Sequence, residues 1–281
     1  MILIDYSPVA FAAALQHLAS TREDPSTDLL RHLVLNSIRA ITSRHKGTYG
    51  PTVVVAMDGP NYWRKTVFPH YKYKRHAQRE SSGQDWSKVF ELLRPLKDEF
   101  LTSLPYHVLR VEGAEADDVI GVLTHAYAPH EKILIVSSDK DFLQLHDLGA
   151  IKQWSPAKQA FVKAESAKVQ LRTLILRGDT GDGIPNVLSA DDVFATGTRQ
   201  KPMTGKRFSE LLTLSESAMP VDIQRNFARN QMLIDLTQIP ESVSGAIRAS
   251  FDAAKPVSKQ DFLTYMVSHR LAELTKCIQE F

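Results

Sequence analysis

Apolar positions along the first ~180 residues fall into two alternating rhythms. Short β-branched runs predict strands at 2–4, 52–57, 107–111, 132–137 and 150–153, and helical spacing fills the stretches 9–18, 29–43, 86–101 and 116–126 between them. Strands that alternate with helices in this way predict a parallel α/β sheet. Asp28 is a candidate N-cap, and Pro105 closes the helix that ends near Leu101. Beyond about Gly178 the rhythm changes to helices punctuated by Gly, Pro and Asn, at 208–214, 222–232 and 259–278, with a loop around 195–205. The expected organisation is an α/β domain over 1–177 followed by a helical part over 178–281.

The acidic residues sit at particular places in this pattern. Three predicted strands run into Asp, at Asp5, Asp58 and, after two serines, Asp139. In an open parallel sheet such positions share one rim, outside the carboxyl ends of the strands. Asp141 follows by two residues, and Glu115, Asp117 and Asp118 open a helix just after the strand at 107–111. Asp179 and Asp182 lie in Gly178-Asp-Thr-Gly181-Asp-Gly183, where the glycines permit a tight turn. Singly, each is explained as a turn or cap residue. As a set of nine on one rim they would repel strongly, and divalent cations remove that cost. An all-oxygen donor set suits Mg²⁺ or Mn²⁺ rather than zinc, and two such ions about 3.5–4 Å apart form the clamp used in phosphodiester hydrolysis.

Directly after Asp58 comes a stretch, 59–79, with no acidic residue and six cations: Arg64, Lys65, Lys72, Lys74, Arg75 and Arg79. Tyr62, Trp63, Phe68, His70, Tyr71, Tyr73 and His76 are interleaved with them. That mixture grips phosphates and stacks bases, and the segment 59–83 is expected to arch over the acidic rim.

Composition narrows the choice. The chain has 281 residues, 43% of them hydrophobic and 23% charged, with a net charge of +2, which is ordinary for a globular protein and gives no overall basic bias. A single cysteine, Cys277, excludes an internal disulfide framework and a multi-cysteine zinc site. No apolar run approaches ~18 residues and no signal peptide is evident, so a cytoplasmic protein with no membrane contact is expected, with a monomer as the default. P-loop, dinucleotide-loop and GxSxG motifs are absent from the sequence.

Taken in order, Leu3-Ile-Asp-Tyr-Ser7, Tyr62-Trp-Arg64, Tyr71-Lys72 with Arg75, Glu115-Ala-Asp-Asp118, Ser137-Ser-Asp-Lys-Asp-Phe142, Gln153-Trp-Ser-Pro156 and Gly178-Asp179 with Asp182 span almost the whole chain. Together they resemble the structure-specific 5′ nucleases, the family of flap endonucleases, and within it the RNase H (5′→3′ exonuclease) branch of T-even-like bacteriophages. The resemblance implies a PIN-like/Rossmann-like parallel sheet flanked by helices, with a helix-three-turn-helix element near 178–187 that holds duplex backbone through Gly181 and Gly183. It implies two Mg²⁺ ions, with Mn²⁺ able to substitute. Asp5, Asp58, Asp117 and Asp139 match ligands of the first ion, Asp141, Asp179 and Asp182 the second group, and Glu115 and Asp118 the remaining acidic positions. Lys72 and Arg75 match basic residues beside the scissile phosphate, catalytic together with Asp139, and Arg64 a basic position just upstream.

The activity implied is a Mg²⁺-dependent 5′→3′ exonuclease and flap endonuclease on RNA-DNA hybrid, duplex and 5′-flap DNA. It would remove RNA primers in lagging-strand replication, with a single-strand DNA-binding protein as a family-type partner. The rivals are a PIN-type ribonuclease and a non-catalytic DNA-junction binding protein. The duplex-holding turn departs from the family pattern, lacking its later glycines and Lys after Gly183-Ile-Pro-Asn-Val187. With Asp5 four residues from Met1, no N-terminal extension able to carry a sliding-clamp peptide is expected.

Overall fold

The computed structural model describes residues 1–21, 25–73, 86–163 and 166–281. Six strands form one sheet in the order β3-β2-β1-β4-β5-β6: β1 (Ile2–Asp5), β2 (Val53–Met57), β3 (His107–Arg110), β4 (Ile133–Val136), β5 (Ile151–Ser155) and β6 (Ala160–Val162). The first five are mutually parallel, and β6 returns antiparallel beside β5. β1 lies between β2 and β4, so the chain builds outward from β1 in one direction, then returns and builds in the other. The resulting switch point, beside β1 and β4, is where open α/β sheets form their sites.

The central strands are apolar up to their carboxyl ends because helices cover both faces. Ile2, Ile4, Val53, Val55 and Met57 pack on one side with α1 (Tyr6–Thr21), α2 (Thr27–Tyr49) and, after α3 (Trp63–Val67), α4 (Trp86–Ser103). Leu3, Val54, Ala56 and Ile135 face the other side, against Val119, Ile120 and Leu123 of α5 (Ala116–Tyr127). The chain continues as α6 (Ala167–Arg177), α7 (Gly205–Thr213), α8 (Val221–Ile234), α9 (Glu241–Ala253), α10 (Lys259–Ser268) and α11 (Ala272–Thr275). A third apolar cluster joins Phe68 and Tyr71 to Ile184 and Val187 of the α6–α7 connection and to Ile223 and Phe227 of α8. This seats the start of the basic segment on the helical part. No helix among the described residues is long and apolar enough to cross a membrane.

Several local expectations change. The cap of α2 is Ser26, whose Oγ accepts from the Leu29 N–H at 3.1 Å, while Asp28 sits in the first turn and pairs with Arg31. The helix expected at 259–278 breaks at Arg270, whose φ of +55° leaves the right-handed region and divides it into α10 and α11. Strand β6 and helices α6 and α9 have no counterpart among the sequence-based elements.

Candidate metal centre and nucleic-acid interface

The carboxyl edge of the sheet gathers the acids. Asp5, the last residue of β1 and 5% exposed, accepts from Ser137 Oγ at 2.9 Å. Asp58 follows β2 and accepts from the Ala116 N–H at 3.1 Å and from Ser7 Oγ at 3.4 Å. The Asp139 turn is fixed from three sides. Its own N–H donates to Ser137 Oγ (3.1 Å), its Oδ1 accepts from the Asp141 N–H (2.9 Å), and Gln153 Nε2 donates to the Ser137 and Asp139 carbonyls (2.9 and 2.6 Å). Glu115 caps α5 in a reciprocal capping box, with the Glu115 N–H donating to Asp118 Oδ2 at 2.9 Å.

The second acidic pair stands on the turn after α6. Gly178, at φ +68°, passes so close to the Ile184 and Pro185 carbonyls that a Cβ would lie 2.3 and 2.5 Å from them, leaving room only for glycine. Asp179 and Ile184 form an isolated antiparallel bridge across the turn, and Asp179 Oδ1 accepts from the N–H groups of Gly181 (2.7 Å) and Asp182 (3.2 Å). Gly183, at φ +73°, abuts the His70 carbonyl, and the Lys72 N–H donates to the Asp182 carbonyl at 2.7 Å. The basic segment is thereby clasped to the turn that carries the pair.

Two cations and two aromatic side chains enter the cluster. Lys72 pairs its ammonium with Glu115 and lies 3.7 Å from Asp182, while Tyr71 Oη stands 3.0 Å from Glu115 and 2.9 Å from Asp182. Trp63 Nε1 donates to Asp118 at 3.1 Å. Arg64, 3% exposed, contacts Asp118 at 2.7 Å and Glu115 at 3.0 Å, and its Nε donates to the Leu233 carbonyl at 2.8 Å. Burial opposes the Arg64 charge, yet Asp118, Tyr71 and Glu115 outweigh it and raise its pKa.

Electrostatics ties the acids into one group. Burial, then repulsion from Asp58, pushes Asp5 up to about 8, against the hydrogen bond from Ser137. Asp117 lies well above the carboxylate range through burial and the charges of Asp139 and Asp5, and Asp141 likewise through burial, Asp139, Asp182 and Asp179. Asp139 and Asp118 are raised as well, burial leading in both. These groups resist ionising side by side unless positive charge arrives.

The structure therefore brings the sequence-identified acids to one end of the sheet, with Lys72 among them and Asp118 buried beneath. As the side chains stand, no cluster of three or more His, Cys, Asp or Glu among the described residues is set to hold a metal ion. The donors nonetheless fit a hard divalent cation: all are oxygens, and the desolvated acids share too little positive charge. Arg64 departs from the expected nucleic-acid contact, because it is sealed inside as a counterion to Glu115 and Asp118. Asp118 departs too: fully buried, it faces Arg64, Trp63 and the Glu115 backbone. Lys65 is exposed, its ammonium 5.4 Å from the Tyr62 ring centre, and Lys74, Arg75 and Arg79 lie outside the described residues.

Sequence reading gave no role to Gln153, Gln144, Asn226 or Asn230. For Gln153 the signal was present, as an uncharged polar residue inside a buried strand.

Comparison with known proteins gives a consistent picture. The family model "5′-3′ exonuclease, N-terminal resolvase-like domain" matches residues 1–172, and the model "T4 RNase H, C terminal" matches 165–281. Ribonuclease H of Enterobacteria phage T4 is 33% identical over 290 residues, covering 99% of this chain and 95% of its own. Flap endonuclease Xni of Shewanella woodyi is 33% identical over 145 residues, 48% of this chain and 54% of its own. Among solved structures, the flap endonuclease of bacteriophage T5, in a pseudo-enzyme–product complex with DNA and metal ions, superposes with a TM-score of 0.62 at 16% identity, covering 90% of this chain and 96% of its own. The T5 5′-exonuclease with divalent metal ions (zinc) bound gives 0.61 at the same identity, covering 90% and 98%. At that identity the likeness establishes the shared fold.

Proposed function

The chain belongs to the 5′-3′ exonuclease family, which includes flap endonucleases, and from that premise we propose that it is a Mg²⁺-dependent 5′→3′ exonuclease and flap endonuclease. Its substrates on this reading are RNA-DNA hybrid, duplex and 5′-flap DNA, and its task is removal of RNA primers behind a replication fork in the cytoplasm. The observation that carries the proposal is the gathering of Asp5, Asp58, Asp117, Asp139, Asp141, Asp179 and Asp182 at the carboxyl edge of the sheet, with Lys72 held among them by the basic segment.

Asp5, Asp58, Asp117 and Asp139 would hold one ion, and Asp141, Asp179 and Asp182 a second. When bound, divalent cations supply a lowered water pKa and stabilisation of the charge that builds on a phosphodiester in hydrolysis. The chain's own groups account for the rest. Ser137 and Gln153 fix the Asp139 backbone, which sets where its carboxylate leaves the turn. Arg64 and Lys72 between them pair with Glu115 and Asp118 from within, which leaves the outward acids to the cations. Lys72, once a phosphate competes for its ammonium, would add a positive charge beside the scissile group.

The test is cleavage of a 5′-flapped duplex and an RNA-primed duplex, each labelled at the 3′ end of the cut strand, with Mg²⁺ and with EDTA. Metal-dependent shortening from the 5′ side on both is expected. Tight binding with no cutting in Mg²⁺ or Mn²⁺ would replace this reading with a non-catalytic junction binder.

A further inference from the structure

Helix α8 carries three polar residues on one face, Asn226, Arg229 and Asn230, and all three turn inward. Asn230, with no exposed surface, donates from Nδ2 to the Ile175 carbonyl (2.7 Å) and the Pro185 carbonyl (2.8 Å), and its Oδ1 accepts from Arg229 Nε at 2.9 Å. Arg229 adds a second bond to the Pro185 carbonyl at 3.0 Å and pairs with Asp191. Asn226 Nδ2 donates to the carbonyls of Val187 (2.9 Å) and Ser189 (3.2 Å).

These carbonyls belong to the end of α6 and to the chain just after the Asp179–Asp182 turn. Pro185 is next to Ile184, which closes the bridge to Asp179, and its oxygen presses on Gly178. One turn further along α8, the Leu233 carbonyl accepts from Arg64, and the Ile234 carbonyl accepts from Gln144 Nε2 at 3.1 Å. Arg64 holds Glu115 and Asp118, and Gln144 follows Asp141 on a short 3₁₀ helix (Asp141–Leu148). Helix α8 thus bonds the chain on either side of the Asp179–Asp182 turn from its middle, and at its C-terminal end it bonds Arg64 and Gln144, which stand beside the sheet-borne acids. A buried amide that satisfies two carbonyls is costly to remove, since both acceptors are then left bare.

We propose that Asn226 and Asn230 are positioning residues, which make α8 a brace setting the Asp179–Asp182 turn against the acids of the sheet. This rests on the reading that Asp179 and Asp182 serve a metal ion. It predicts that the amides affect metal binding without touching the metal.

The experiment uses the full chain with Asn230→Ala, Asn230→Asp, which keeps the size and removes the donors, and Asn226→Ala. Amide hydrogen exchange is followed in EDTA, and Mn²⁺ binding by electron paramagnetic resonance. Exchange at Gly181, Asp182 and Ile184 should quicken about tenfold or more while β1 and β4 keep their protection, and one of the two Mn²⁺ ions should lose about tenfold in affinity. If Asn230→Ala does not fold, Asn226→Ala reads the same brace from its less buried end. Unchanged exchange in the turn of a folded variant would overturn the proposal, as would faster exchange with unaltered Mn²⁺ binding. A wild-type chain that bound no Mn²⁺ would instead overturn the reading of the site, while the exchange data still judged the brace.

Discussion

Lys72 closes its ammonium on the Glu115 carboxylate across 43 residues of sequence, from a backbone held at φ +58°. A left-handed backbone at a lysine is uncommon and marks a position set by its surroundings, here the Lys72 N–H bonded to the Asp182 carbonyl. Lys72→Ala should lower single-turnover cleavage by roughly 10²-fold and change duplex affinity much less, since the charge is needed beside the reacting phosphate. Equal losses in rate and in affinity would mark Lys72 as a phosphate anchor only.

Asp58→Asn and Asp139→Asn each keep shape and remove a charge. Cleavage in Mg²⁺ should fall by about 10³-fold or more in each, with duplex binding in EDTA unchanged or strengthened as repulsion of the phosphates drops. Near-full cleavage by either variant would dismiss that residue as a ligand.

The elevated Asp5 pKa makes stability depend on pH with a definite sign. Between the unfolded value of 3.8 and the folded value of about 8, the metal-free fold keeps a proton that the unfolded chain has released, so this residue's contribution declines as pH rises. Asp5→Asn removes that decline. In EDTA its Tm should match the wild type below about pH 4 and exceed it by roughly 10 °C at pH 8. With Mg²⁺ the order should reverse, because the wild type gains a ligand that the variant lacks. A variant less stable than wild type at pH 8 in EDTA would refute the assignment.

Arg64→Met strips Asp118 of its counterion, leaves Glu115 with Lys72 alone, and should cost about 3–5 kcal/mol in urea unfolding. As Arg64 is sealed from solvent, the salt dependence of duplex binding by the folded variant should keep its slope. A slope smaller by about one unit would show that Arg64 does reach a phosphate.

Much of the site was legible because it depends on strand ends. Ile2-Leu-Ile4 and Val53-Val-Val-Ala-Met57 are apolar on both faces, which marks central parallel strands, and parallel strands put the acid after each of them on the same edge. What could not be read depends on contacts distant in sequence. Arg64 looks like its exposed neighbour Lys65 until α8 and α5 close over it, and Asn226 and Asn230 pass for the polar side of an amphipathic helix. The break at Arg270 lies in a helical pattern with no glycine or proline to announce it.

The strand order also bears on when the chain can first act during its own synthesis. Strand β1 is made before the other five strands of the sheet, but the acids that meet beside it extend to Asp182, and the helix bonded to the chain around the last pair ends only at Ile234. A nascent chain therefore carries most of its sheet long before it has a complete set of carboxylates in place. The rim is complete only once the chain through Asp182 has folded back against strands made far earlier.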